Sequence, residues 1–195
     1  MKSPDLLVIG CSAGGLQALQ RLFRGFRPDR RIPVLVVCHT ASEDLSGLCA
    51  LLQRCCQWPV REAEERLSPE PGVVHLAPSG YHLLVERDGT LSLSVDERVS
   101  YARPSIDVLF ESAALAYGGA VTGVILTGAN HDGAAGLTQI RAAGGGAVIQ
   151  DPHDAEVATM PQAALARAGA DHVVPLATLG PLLQQLIDQK EPSRE

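Results

Sequence analysis

One serine in this chain sits where a nucleophile can be made. Gly10-Cys11-Ser12-Ala13-Gly14 matches G-x-S-x-G. Before it runs the apolar stretch Leu6-Leu7-Val8-Ile9; after it, from Gly14 to Arg24, come Leu16, Leu19, Leu22 and Phe23 at helical spacing. Strand, tight glycine turn and helix in that order make a nucleophile elbow. The serine oxygen then stands at the sheet edge, and the N–H groups that follow it at the helix N-terminus can stabilise an oxyanion. The same residues also suit a plain glycine-rich turn, or one that cradles an anion. Nucleotide binding is disfavoured, because no Walker lysine follows Gly14-Gly15-Leu16 and no G-x-G-x-x-G occurs.

A serine nucleophile needs a base, and the base needs an orienting acid. The histidines are His39, His75, His82, His131, His153 and His172. His39 directly follows the buried run Pro33–Cys38, so it lies past the carboxyl end of a strand, where open α/β sheets bind ligands. His75, His82 and His172 fall in or beside short strands and read as structural. Asp132, in Thr127-Gly128-Ala129-Asn130-His131-Asp132-Gly133, follows the run 121–126. It reads as the orienting acid or as a helix N-cap, and the two roles are compatible. His131 is a rival at the same loop. Asp107 is a rival acid, but it falls inside a predicted helix, where capping or solvation is the simpler use. Three strand ends thus deliver Ser12, His39 and Asp132, an order unlike the Ser…Asp…His of α/β-hydrolases.

The elements that must hold these residues form an α/β rhythm. Strands at 6–9 and 33–38 flank a helix, and Asp44 to Cys55 reads as a second helix with Leu45, Leu48, Leu51 and Leu52 on one stripe. The prolines of 59–80 and the short alternating segments 73–76, 81–85 and 91–94, with a turn at Asp88-Gly89, read as an antiparallel β-hairpin insertion at about 73–94. Helices at 104–117, 133–143, 161–168 and 179–189 then alternate with strands at 121–126, 147–150 and 172–174. The expected fold is a doubly wound, mostly parallel sheet with helices on both faces. It makes one domain over residues 1–190, with a charged tail at 191–195.

Composition narrows the function. The net charge is −6 and only seven of 195 residues are Phe, Trp or Tyr, which argues against a nucleic-acid binder. No apolar run approaches the ~18–20 residues of a membrane span, and the N-terminus lacks the pattern of a secretion signal. The five cysteines (11, 38, 49, 55 and 56) are odd in number and form no C-x-x-C pair. They read as reduced thiols of a cytoplasmic protein. Cys and His do not cluster at metal spacing, so no metal site is expected.

Six blocks in order make the chain resemble the catalytic domain of the chemotaxis receptor methylesterases, the CheB family. They are Val8–Gly15, Val36–His39, Leu76–Leu83, Arg103–Phe110, Gly123–Gly128 with Asp132–Gly136, and Gln150-Asp151 with Met160–Ala164. The resemblance covers about Leu6 to Leu176. It implies hydrolysis of glutamyl methyl esters on cytoplasmic chemoreceptor helices, giving glutamate and methanol, with glutamine deamidation in some relatives. Ser12 would be the nucleophile, His39 the base and Asp132 its orienter, with no cofactor and a methylated receptor as partner. Activity should fall as His39 takes up a proton. The chain departs from the family pattern at Ala13 (usually Thr), at Cys38 (usually Gln) and at Ala129-Asn130-His131. Ala13 and Ala129 are candidates for the oxyanion hole through backbone N–H, and Met160 for the cleft wall. Arg103, Ser105 and Asp107 either line the cleft or brace the insertion, with bracing preferred. With the catalytic domain starting at Leu6, a stand-alone esterase without a receiver domain is expected. The departures also motivate a rival, a docking module without turnover; a second rival is a hydrolase of another methylated signalling protein.

Overall fold

The computed structural model describes residues 3–40 and 45–189. In chain order the elements are β1 (Leu6–Cys11), α1 (Gly15–Arg24), β2 (Val34–Cys38), α2 (Ser46–Gln53), β3 (Val60–Glu62), β4 (Val74–Leu76), β5 (His82–Val85), β6 (Leu91–Ser94), α3 (Ile106–Tyr117), β7 (Val121–Ile125), α4 (Ala134–Ala142), β8 (Gly146–Gln150), α5 (Thr159–Ala168), β9 (His172–Val174) and α6 (Leu176–Asp188). Seven strands make one parallel sheet in the order β3-β4-β2-β1-β7-β8-β9, and β5 and β6 pair antiparallel in a separate hairpin.

Every residue of β1 is buried, as a central parallel strand covered on both faces requires. Its side chains alternate between two cores. Leu7, Ile9 and Cys11 join Leu19, Leu22 and Phe23 of α1 and Leu183 and Ile187 of α6 on one face. Leu6 and Val8 join Leu109 and Phe110 of α3, Leu137 of α4 and Ala164 of α5 on the other. The doubly wound expectation therefore holds. The chain leaves β1 toward β2, β4 and β3, then returns through α3 to lay β7 on β1's other side. The carboxyl ends of β1, β2 and β7 thus meet at the topological switch point, where such sheets bind ligands.

The hairpin is present, with His82 opposite Ser94 and Val85 opposite Leu91. Its Leu83, Val85 and Leu91 pack in the α3-side core. The segment at 73–76, expected within the insertion, is instead strand β4 of the main sheet, parallel to β2 and β3. Strand β3 had no signal of its own, since only Val60 of its three residues is buried. Helix α6 starts at Leu176, three residues earlier than its apolar spacing suggests, because the Asp154 carboxylate accepts the Leu176 N–H at 2.8 Å. Asp44, the expected start of α2, and the tail at 191–195 lie outside the described residues.

Candidate active site

The turn after β1 is shaped by its glycines. Gly14 is the N-cap of α1 at φ 75°, a left-handed conformation that other residues adopt at a cost. Half-buried Ser12 precedes it, and the Ser12 N–H donates to Thr127 O at 3.0 Å. That bond continues the β1–β7 pairing one step past β7 and removes the Ser12 N–H as a donor to any ligand. The Thr127 hydroxyl donates to Ala13 O at 2.9 Å, so the β7 loop holds the serine turn from two sides. Among the described residues, nothing accepts the N–H of Ala13 or Gly14. Ala13 itself is exposed.

His39 lies one strand over. Its backbone N–H donates to Cys11 O at 3.0 Å, and its Nε2 lies 3.0 Å from Asp132 Oδ2. The His39 side chain is 15% exposed and that of Asp132 is 0% exposed. A carboxylate can only accept, so the shared proton sits on Nε2. That leaves Nδ1 of a neutral ring as the free lone pair.

Asp132 is the most heavily bonded side chain of the site. Besides His39, its carboxylate accepts the Ser105 hydroxyl at 2.8 Å and the N–H groups of Ile106 at 2.7 Å and Asp107 at 3.0 Å. Burial pushes the carboxyl up, but the bonds from His39, the two N–H groups and Ser105 outweigh it and hold Asp132 below its ordinary range. Ser105 occupies the N-cap position of α3 yet makes no capping bond of its own. Asp132 supplies the cap from a different loop, at the end of the helix that favours negative charge.

Asp107 performs the reverse service. It is buried in α3, and its Oδ1 accepts the Gly136 N–H in the first turn of α4 at 2.8 Å. Burial, with the nearby Asp132 charge, raises its pKa against the Gly136 bond. The rival acid is therefore a brace between α3 and α4. Ser105 belongs in the site because it holds Asp132; as a serine just before a helix it looks like an ordinary cap, so its real partner was hidden in the sequence. His82 is structural: Nδ1 accepts the Ser105 N–H at 3.2 Å and Nε2 faces Glu97 O at 3.0 Å. Buried His75 accepts the Glu70 N–H.

The remaining candidates are spread out. Ala129 and His131 are exposed on the loop after β7. Met160 is 0% exposed and does not reach the cleft surface. It packs beneath Gly128, where an added Cβ would come within 2.7 Å of the Met160 Sδ and Cε. Its N–H also donates to Gly128 O at 2.9 Å. Met160 thus supports the β7 loop from below.

A cavity of about 230 Å³ abuts His39, lined in part by Cys38, Ser79, Arg98, Arg103 and Asn130. Arg103 is anchored, its Nη1 donating to Val95 O at 2.6 Å and Asp96 O at 3.0 Å. In a chain of net charge −6 this cleft carries two arginines, a local feature invisible in the overall balance. Among the described residues no Cys, His, Asp and Glu cluster could hold a metal ion, and no helix is long and apolar enough to cross a membrane.

A serine turn, a histidine and a buried carboxylate at three adjoining strand ends invite comparison with known hydrolases. The family model described as CheB methylesterase matches residues 7–183. The chain belongs to the CheB methylesterase family. It is 42% identical over 182 residues to a putative protein-glutamate methylesterase/protein-glutamine glutaminase of Leptospira interrogans, covering 93% of this chain and 94% of that protein. It is 38% identical to protein-glutamate methylesterase/protein-glutamine glutaminase 2 of Xanthomonas euvesicatoria, covering 94% of this chain but 52% of that longer protein. The crystal structure of the Thermotoga maritima CheB methylesterase catalytic domain superposes with a TM-score of 0.89 at 28% identity, covering 94% of this chain and 99% of that one. The methylesterase fold and enzyme class expected from the six sequence blocks are thereby shown, and the region matched is the catalytic domain.

Proposed function

We propose that the chain hydrolyses glutamyl methyl esters on cytoplasmic chemoreceptor helices, with Ser12 as nucleophile, His39 as base and Asp132 as its orienter. The observation that carries this reading is the His39–Asp132 bond at 3.0 Å. It holds a proton on Nε2 and leaves Nδ1 to take the one on the serine hydroxyl. Ser12 Oγ attacks the ester carbonyl as its proton passes to His39 Nδ1. The resulting oxyanion is met by the N–H groups of Ala13 and Gly14 at the mouth of α1. His39 then protonates the departing methoxide, releasing methanol, and activates the water that frees glutamate from Ser12. The names of the relatives also include glutaminase. The same acyl-enzyme would form from a glutamine side chain, with ammonia leaving. Arg98 and Arg103 in the cleft suit a helix that carries glutamates. Such a substrate places the enzyme in the cytoplasm, and nothing in the steps calls for a cofactor.

The test is methanol release from a methylated chemoreceptor cytoplasmic fragment, wild type against Ser12→Ala. Release by the wild type alone supports both the reaction and the nucleophile. Release by both proteins removes Ser12 from the mechanism. With no release from either, labelling of Ser12 by a fluorophosphonate would redirect the search to another ester, and its absence would favour a docking module.

A further inference from the structure

Cys11 immediately precedes Ser12, and Cys38 immediately precedes His39. The two cysteines stand directly opposite each other in the β1–β2 register, so their side chains leave the sheet on the same face. Both belong to the core on the α1 side. A Cβ built on Gly15 would lie 2.7 Å from Cys11 Sγ and 3.5 Å from Cys38 Sγ. The two sulfurs therefore converge on one point beneath the first turn of α1. The neighbouring Cys11 thiol holds the Cys38 thiol below its ordinary range, while Cys38 and burial hold Cys11 well above it. Cys11 is fully buried, whereas Cys38 lines the cleft beside His39. The pair therefore combines a reachable thiol beside the cleft with a shielded partner directly opposite it in the register, the arrangement of a sensing and a resolving cysteine.

We propose that Cys11 and Cys38 form an oxidation site, at which a peroxide converts the two free thiols into a disulfide that displaces Ser12 and His39. Cys38 gives up its proton, its thiolate attacks one peroxide oxygen, an S–O bond forms, the O–O bond breaks, and the departing hydroxide takes up the Cys38 proton as water. The Cys11 sulfur then attacks the sulfenic sulfur of Cys38. The S–S bond forms, the S–O bond breaks, and the leaving hydroxide takes the Cys11 proton as water. Two electrons pass from the thiols to the peroxide, which ends as two molecules of water. Neighbouring strands run ~4.7–4.9 Å apart, within the ~4.4–6.8 Å that disulfide Cα atoms span. The bonded Cβ atoms need ~3.8 Å, so closure draws the two strand ends together. Strained disulfides of this kind are readily reduced, which makes the change reversible. A displacement of ~1 Å at reacting groups costs about 10²-fold in rate.

The effect on activity rests on the proposed roles of Ser12 and His39; the disulfide itself does not. The full chain, fully reduced, is treated with hydrogen peroxide, alkylated, digested and examined by mass spectrometry, and fluorophosphonate labelling of Ser12 is timed in parallel. The Cys11 and Cys38 peptides should be recovered joined, with Cys49, Cys55 and Cys56 still alkylated. Labelling should slow about 100-fold and recover with dithiothreitol. Cys11→Ala should give no joined peptide and leave Cys38 as a sulfinic or sulfonic acid. Recovery of Cys11 and Cys38 both alkylated after peroxide, or joined to other cysteines, overturns the site. Joining without slower labelling overturns its effect. If the reduced protein never labels, the Ser12 assignment fails, while the joined peptide still reports the dithiol.

Discussion

Replacing Asp132 by Asn changes one atom, and the four bonds to the carboxylate allow its consequence to be worked through. Oδ2 accepts from His39 and the Ile106 N–H, while Oδ1 accepts from the Ser105 hydroxyl and the Asp107 N–H. Each oxygen therefore serves one partner that can reverse its role and one backbone donor that cannot. Whichever way the amide turns, its NH2 faces a buried N–H that loses its acceptor. That costs about 1–3 kcal/mol. With the NH2 toward His39, the ring must accept at Nε2 and carry its proton on Nδ1, which blocks the base. With the NH2 toward Ser105, the hydroxyl turns to accept, but Asp107 N–H is orphaned and His39 keeps only a neutral partner. Turnover should fall by up to ~10⁴, as in triads that lose their acid, alongside the lost stability. Asp132 is held below its ordinary range, so its stabilisation is complete above the unfolded value near ~3.9 and is lost as pH falls through the lower folded value. That acid limb should vanish in Asp132→Asn. Urea unfolding from pH 2 to 7 together with single-turnover methanol release would measure both effects. A variant as stable as the wild type at pH 7, or one retaining a tenth of its turnover, would refute the reasoning.

Other outcomes follow from the same contacts. Asp107 has a raised pKa, so its charge detracts from stability as pH rises from ~3.9 through the folded value; Asp107→Asn should keep the Gly136 bond and flatten that decline in urea titrations. Met160→Ala should cost about 2–5 kcal/mol by opening a cavity under Gly128, and calorimetry would show it as a lowered Tm. Burial pushes the Cys56 thiol up to about 11, so at pH 8 iodoacetamide should modify Cys38 well before Cys56, as peptide mapping would reveal.

The repeating elements were legible because they depend on local patterns. The buried run of β1, the helical spacing of α1 and the turn at Asp88-Gly89 each carry their signal within a few residues. The positions of Ser12 and His39 were legible for a related reason, since each directly follows a strand that declares itself. What escaped was set by partners distant in the chain. Strand β3 exists because β4 pairs with it, and α6 begins where Asp154 can cap it. Met160 looked like a wall residue because its position after a strand says nothing about the side to which its side chain turns. Ser105 and Asp107 were recognisable as a motif, but only the packed fold shows that one steadies the acid and the other holds the neighbouring helix.

The crossed capping of α3 and α4 carries a consequence for how this protein fails. Asp132 sits just ahead of α4 and serves α3, while Asp107 sits in α3 and serves α4. Neither helix can undock without stripping the other of its carboxylate, and the acid beside His39 is one of the two clasps. A triad member carried on an independent loop can drift while the body of the protein stays intact, so that inactivation runs ahead of melting. Here the alignment of His39 and the docking of two helices are a single event. On heating, the loss of turnover and the loss of folded protein should trace one curve.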